Sequence, residues 1–309
     1  MSTVGSTPDV SAAPQAPTAP VVNIPTATPP AQLAVTAFGA TDKGKVRSTN
    51  EDQFLIAELT KAMRVWQTSL PEPKVQVGEE RAHLFLVADG MGGHLAGERA
   101  SALAVAAIEN FTLNSFKWFF GTDGGEAKKV LAQFQSAFTQ ADAEIAETAA
   151  THPELRGMGT TVTMAFQLGA QLCVVHAGDS RAYLHRQHEL HQLTKDHTLV
   201  AELVRTGALQ PDQVAGHHLR HVITNVIGGP EAGVRVEARA LQLQDGDRLL
   251  LCSDGLTEMV TDETIAATLD VERGAETAAK KLLERANEGA ASDNITLVVV
   301  GFDAGPTSS

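Results

Sequence analysis

Basic residues are in the minority in this chain: 24 Lys and Arg stand against 37 Asp and Glu, a formal charge of -13 over 309 residues. A nucleic-acid surface needs a basic face, so no nucleic-acid partner is expected. Long apolar runs are missing as well. None reaches the roughly 20 residues of a membrane helix, so no membrane association is expected. The N-terminus lacks a basic segment leading into an apolar core, so no secretory signal is expected. Cysteine is scarce. Cys173 and Cys252 each sit inside an apolar run and read as buried free thiols of a cytoplasmic protein, not as a disulfide pair. Neither has the C-x5-R context of a cysteine nucleophile. No internal repeat is present. What remains, 43% hydrophobic and 20% charged residues, is ordinary for a globular protein of one large domain or two small ones.

Organisation changes sharply near Leu33. Residues 1–33 are rich in Pro, Ala, Thr and Ser with Asp9 as their one charge, and they read as a disordered tail. Residues 304–309 read as a second frayed end. Between them, 33–39, 53–59, 83–89, 161–168, 171–178, 182–186, 234–241, 247–254 and 294–302 are short runs, rich in β-branched residues and bounded by turn formers, which predicts strands. Helices are predicted at about 96–111, 126–149 and 274–288. In the second, Val130, Leu131, Phe134, Phe138, Ala141 and Ile145 share one face. Residues 60–81 read as an irregular insertion. Consecutive helices and paired strands are not a βαβ alternation; they argue for antiparallel sheets with helices packed outside.

The chemistry-bearing residues fall where these elements end. "RSTNED" places Arg47, Glu51 and Asp52 before a strand. "VADGMGG" places Asp89 and Gly90 after one. "HAGDSR" and "LCSDG" place Asp179 and Asp254 after two more, and "ASDN" places Asp293 before the last. Singly, each Asp is accounted for by a turn or a cap. Together they put carboxylates beside apolar runs, which is costly unless the charges are paired or bound to metal. Carboxylate oxygens suit Mg2+ or Mn2+ better than softer ions. The glycines after Asp89 also invite a dinucleotide-loop reading. The third glycine, Gly97, falls one place late for G-x-G-x-x-G, and the charge of Asp89 would face the pyrophosphate.

Seven motifs in order carry a resemblance: "RSTNED", "VADGMGGHLAGE", "GMGTTVT", "HAGDSRAYL", "QLTKDHTL", "LLLCSDGLTEMV" and "SDNITLVVV". The chain resembles the metal-dependent serine/threonine protein phosphatases of the PPM, or type 2C, family, in its bacterial form. The resemblance spans about residues 35–302. It implies an α+β fold: a four-layer α-β-β-α sandwich of two antiparallel sheets flanked by helices, with a flap subdomain at about 197–224 and a catalytic domain over 34–303. It implies two Mn2+ or Mg2+ ions, with room for a third. Asp89 would bridge both ions and the Gly90 carbonyl would bind one. Asp254 and Asp293 would bind the other. Glu51 or Asp52 would contact the centre directly or through water, and Asp179 with Asp254 would take the third ion. Arg47 would hold the phosphate. The implied reaction is hydrolysis of phosphoserine and phosphothreonine in proteins by a metal-activated water, with no phosphoenzyme. The implied partners are phosphorylated proteins and an opposing Ser/Thr kinase, and a cytoplasmic monomer is expected.

Some positions depart from the pattern. Animal members have a histidine after the Asp-Gly pair, proposed as general acid; here Met91 stands there, as in bacterial relatives. His94 reads as a helix-start residue, with a metal-organised water as proton source. His197 reads as structural. Asn225 stands where relatives often have Arg, which leaves one local contact open. The flap segment, 197–229, is predicted to begin as helix. It carries Arg205, His217, His218, Arg220 and His221, which suit an acidic or phosphorylated peptide. Two other readings stay open: a non-catalytic phosphoprotein-binding module on the same fold, and hydrolysis of a small phosphorylated metabolite.

Overall fold

The computed structural model describes residues 33–64, 75–93, 95–114, 125–229 and 233–305. The tail expected over residues 1–33 lies outside these except for Leu33, as do His94, residues 306–309 and much of the expected insertion.

Among the described residues, ten strands and six α-helices follow in order: β1 (Leu33–Asp42), β2 (Gln53–Arg64), β3 (Val75–Met91), α1 (Leu95–Asn114), α2 (Gly125–Thr151), β4 (Gly159–Leu168), β5 (Gln171–Ala177), β6 (Arg181–Arg186), β7 (Glu189–Gln192), α3 (Leu199–Arg205), β8 (Glu237–Gln242), β9 (Asp247–Cys252), α4 (Asp254–Thr257), α5 (Asp262–Val271), α6 (Ala275–Glu288) and β10 (Ile295–Ala304). They form two five-stranded antiparallel sheets, ordered β1-β10-β9-β6-β7 and β2-β3-β4-β5-β8.

Strand alternation builds the layers. Along β3, Leu84, Leu86 and Ala88 turn outward to pack with α1 and α2, while Phe85 and Val87 turn inward. Along β9, Leu249 and Leu251 turn inward, and Leu250 and Cys252 face α5 and α6. Along β10, Val298, Val300 and Phe302 turn inward and Leu297 and Val299 outward. A period of two with apolar residues on both faces is what a sheet covered on both sides requires. The result is the expected α-β-β-α sandwich, with one core between the sheets and one under each helical layer.

The sequence expectation differs from the structure in four places. The strand expected over 247–254 ends at Cys252, and Asp254 opens the unexpected helix α4. β2 runs on to Arg64 and β3 starts at Val75, so the expected irregular insertion is partly a longer hairpin. β7 was not expected, because ELHQ is a polar edge strand of four residues. α5 was not expected either, although Thr261 caps it by accepting from the Thr264 N–H and Asp262 and Glu263 occupy its first turn.

At one end of the sandwich the sheets are strapped together. Arg186, at the end of β6, donates to both carboxylate oxygens of Asp247 at 2.7 and 2.5 Å and to the Gln242 carbonyl of β8 in the other sheet at 2.9 Å. Arg186 and Asp247 are both buried, and Asp247 also accepts from the Gln244 N–H. This bidentate pair lies at the opposite end of β6 and β9 from the acidic residues.

Candidate metal centre

The same alternation aims the acidic residues. Asp89 follows Phe85 and Val87 on β3, so its parity turns it into the gap between the sheets just where that gap opens. Asp52 precedes β2 with the parity of Phe54 and Ile56, which also pack inward. Asp254 begins α4 directly after β9, Asp293 precedes β10, and Asp179 lies in the turn from β5 to β6. One sheet supplies Asp52 and Asp89, the other Asp254 and Asp293, and Asp179 sits on the chain that crosses between them.

These carboxylates are close enough to perturb one another. Burial first, and then the charges of Asp52, Asp254, Asp179 and Asp293, push Asp89 well above the usual carboxylate range. Burial, then Asp179, Glu258, Asp293 and Asp52, do the same to Asp254. Burial and Asp196 raise Asp179 to about 7. Burial raises Asp52 to about 6 against the opposing hydrogen bond from Ser253. Oδ1 of Asp52, Asp179 and Asp254 is buried and has no hydrogen-bond partner among the described residues. Buried polar atoms are almost always satisfied, so three orphaned oxygens in one cluster need an explanation. Divalent cations supply it: they pair the charges and take up hard oxygen ligands. The residues therefore fit the implied ions.

Supporting contacts hold the cluster in place. Ser253 donates to Asp52 Oδ2 at 2.8 Å. Asn294 accepts from the Glu51 N–H at 2.8 Å and donates to the Lys43 and Thr49 carbonyls, tying the 43–51 loop to the start of β10. Thr160 donates to the Asp89 carbonyl and Ser101 to the Glu51 carbonyl. Glu51 is buried against the first turn of α1. A Cβ at Gly97 would overlap its carboxylate, and one at Gly90 would overlap the Gly97 and Glu51 carbonyls. The Gly90-to-Gly97 spacing thus serves close backbone approach, not a pyrophosphate loop. Arg47 is half exposed at the rim and donates to Asp293 at 2.6 Å. That bond, followed by the charges of Asp293, Glu51 and Asp89, raises its pKa further.

The structure adds groups that the sequence reading did not single out. Glu258, one helical turn after Asp254, places a carboxylate oxygen 2.9 Å from His221 Nδ1. His221, Asp254 and Glu258 place ligand atoms within 4.8 Å of one another, so the flap touches the acidic cluster. The i, i+4 spacing from Asp254 in "SDGLTE" was the available signal. Ser253 and Asn294 were visible only as neighbours of the expected ligands Asp254 and Asp293. Cys173 and Cys252 are unbridged and buried, each thiol pushed up to about 12 by its apolar surroundings. Among the described residues, no helix is long and apolar enough to cross a membrane.

The sequence profile described as Protein phosphatase 2C matches residues 74–289. The serine/threonine protein phosphatase PstP of Mycobacterium tuberculosis is 38% identical over 269 residues, covering 86% of this chain and 45% of PstP, so the chain spans about half the length of that relative. The serine/threonine phosphatase stp of Listeria monocytogenes is 32% identical over 263 residues, covering 85% of this chain and 94% of stp. A solved catalytic domain of PstP, in complex with two manganese ions, superposes with a TM-score of 0.67 at 34% identity, covering 88% of this chain and 99% of that one. With its sandwich, its acidic cluster and these matches, the chain belongs to the protein phosphatase 2C family.

Proposed function

We propose that this protein hydrolyses phosphoserine and phosphothreonine in proteins, using two Mn2+ or Mg2+ ions held at the end of the sandwich. The observation that carries the reading is the convergence of Asp52, Asp89, Asp179 and Asp254 with three buried, unpartnered carboxylate oxygens. When bound, the ions supply Lewis acidity toward the phosphate and a water of lowered pKa. Asp89, central to the cluster, would be shared between the two ions. The Gly90 carbonyl would serve one ion, and Asp254 and Asp293 the other. Ser253 orients Asp52 toward the centre. Asp179 with Asp254 would take a third ion, with His221 and Glu258 beside it.

Arg47 binds and orients the substrate. A guanidinium has five donors, and Arg47 can hold two phosphate oxygens while it remains tethered to Asp293. Lys would lack that fork. Met91 offers no proton, so the leaving alkoxide would take its proton from water in the site. Net charge is no obstacle, because the bound ions set the local field. Two unbridged cysteines suit a cytoplasmic setting, and an opposing Ser/Thr kinase is the natural source of the substrate.

The test is Mn2+-dependent hydrolysis of a phosphothreonine peptide. Asp89→Asn is expected to lower kcat at least about a hundredfold, the scale of a preorganised charged group. Equal or better turnover of sugar phosphates would favour a metabolite phosphatase. Peptide binding without metal-dependent turnover would favour the non-catalytic module.

A further inference from the structure

We propose that His197 is a positioning residue, locked in one tautomer, that ties both arms of the flap to the turn carrying Asp179. The inference rests on the metal-centre reading for the role of Asp179. The tie itself is plain in the hydrogen bonds. His197 is buried at the start of the flap. Its N–H donates to the Gly178 carbonyl at 2.8 Å, and its own carbonyl accepts from the Thr224 N–H at 2.7 Å. Thr198 bridges Ile223, and the Leu199 N–H donates to the Val222 carbonyl. The outgoing and returning arms of the flap therefore meet at this residue.

The ring settles the tautomer. Nδ1 accepts from the Gly178 N–H at 3.0 Å and from Asn225 Nδ2 at 2.8 Å. Both are unambiguous donors. A backbone N–H cannot be reversed, and the Asn225 amide is fixed by its other bonds: Oδ1 accepts from the Arg235 N–H and Nδ2 donates to the Arg235 carbonyl, each at 2.8 Å. Nδ1 must therefore carry the lone pair, and the proton sits on Nε2, which faces Glu237 Oε1 at 3.6 Å. His176 packs against the ring at 4.9 Å between centroids. Asn225 is the amide that holds the histidine.

The consequence reaches the metal cluster through one peptide. Gly178 adopts φ of +122°, and a side chain there would also collide with Thr161, so the turn requires glycine; Asp179 follows it directly. Its N–H bond to His197 fixes the direction in which the Asp179 carboxylate leaves the turn. Groups that orient a ligand in this way typically matter about 10- to 100-fold in metal affinity.

Three variants test this. His197→Phe keeps the ring and removes the acceptor. His197→Asn restores an oxygen acceptor near the Nδ1 position. Asn225→Asp replaces the donor to Nδ1 with an acceptor. Three readouts apply: calorimetric titration with Mn2+ alone, the Mn2+ concentration that half-activates hydrolysis of a phosphothreonine peptide, and tryptic cleavage after Arg205 and Arg220 in the flap. His197→Phe and Asn225→Asp are expected to weaken Mn2+ binding about tenfold and to expose both flap sites, with His197→Asn returning within a few-fold of the parent. The imidazole nitrogen spectrum of the parent should show an unprotonated Nδ1. A residue that only fills space would give the opposite pattern: His197→Phe like the parent, or His197→Asn as impaired as His197→Phe. Either result overturns the proposal, and should His197→Phe fail to fold, Asn225→Asp against the parent decides it. A parent without Mn2+-dependent turnover refutes the phosphatase reading instead, while calorimetry and proteolysis still test His197.

Discussion

Asp89 is a residue whose surroundings work against it. Four carboxylates face it, its charge is buried, and no cation among the described side chains pairs with it directly. Removing that charge should relieve strain in the metal-free fold even as it disables the site, a trade typical of catalytic residues. Asp89→Asn is therefore expected to raise the melting temperature of EDTA-treated protein, by about 2–4 °C for each kcal/mol of relief, while losing the stabilisation that Mn2+ gives the parent. Thermal melts with and without Mn2+ check both halves. The acids were legible in the sequence because each closes or opens an apolar run beside a turn former, and side-chain parity then fixes its direction. His221 and Glu258 were not legible as a pair. They lie on a loop and a short helix 37 positions apart, and only tertiary packing brings the imidazole onto the carboxylate.

At the scale of elements, alternation and turn chemistry carried most of the architecture. β3, β9 and β10 announce themselves because both of their faces are covered. β7 does not, because an edge strand of Glu, Leu, His and Gln owes its conformation to pairing with β6. α5 was readable from Thr261 and the acids after it, and was missed because its apolar stripe, Ile265 and Leu269, is narrow. Strands also depend on links that no periodicity reveals. Arg186, buried at the end of β6, reaches Asp247 on β9 and the end of β8. Truncating one member of a buried pair leaves the other uncompensated, so Asp247→Ala is expected to cost about 3–5 kcal/mol. Denaturant melts measure that cost. Turnover per folded molecule should be little changed, because the pair lies at the other end of the sandwich.

Taken as a whole, the molecule stores repulsion at one rim, and pH reads it out. Carboxyls whose folded pKa is raised favour the native state when protonated; that stability is present at low pH and lost as pH rises through the folded value. Asp52 stands at about 6 and Asp179 at about 7, and Asp89 and Asp254 are pushed well above the usual carboxylate range. His176, lowered to about 4 by burial and by His197, works in the opposite sense, but only below the ordinary histidine value of about 6.5. The metal-free melting temperature should therefore fall as pH rises from about 6.5 through about 7, where His176 no longer offsets the carboxyls. Saturating Mn2+ should flatten that slope, since the metal competes with protons for the same oxygens. The strap at Arg186 gives this a direction. With ions removed, the two sheets stay bound like a book along its spine and part at the fore-edge. Amide exchange after chelation should quicken at Asp52, Gly90, Ser253 and Asn294 while Arg186, Gln244 and Asp247 keep their protection. An equal quickening at both margins would mean that no such spine exists.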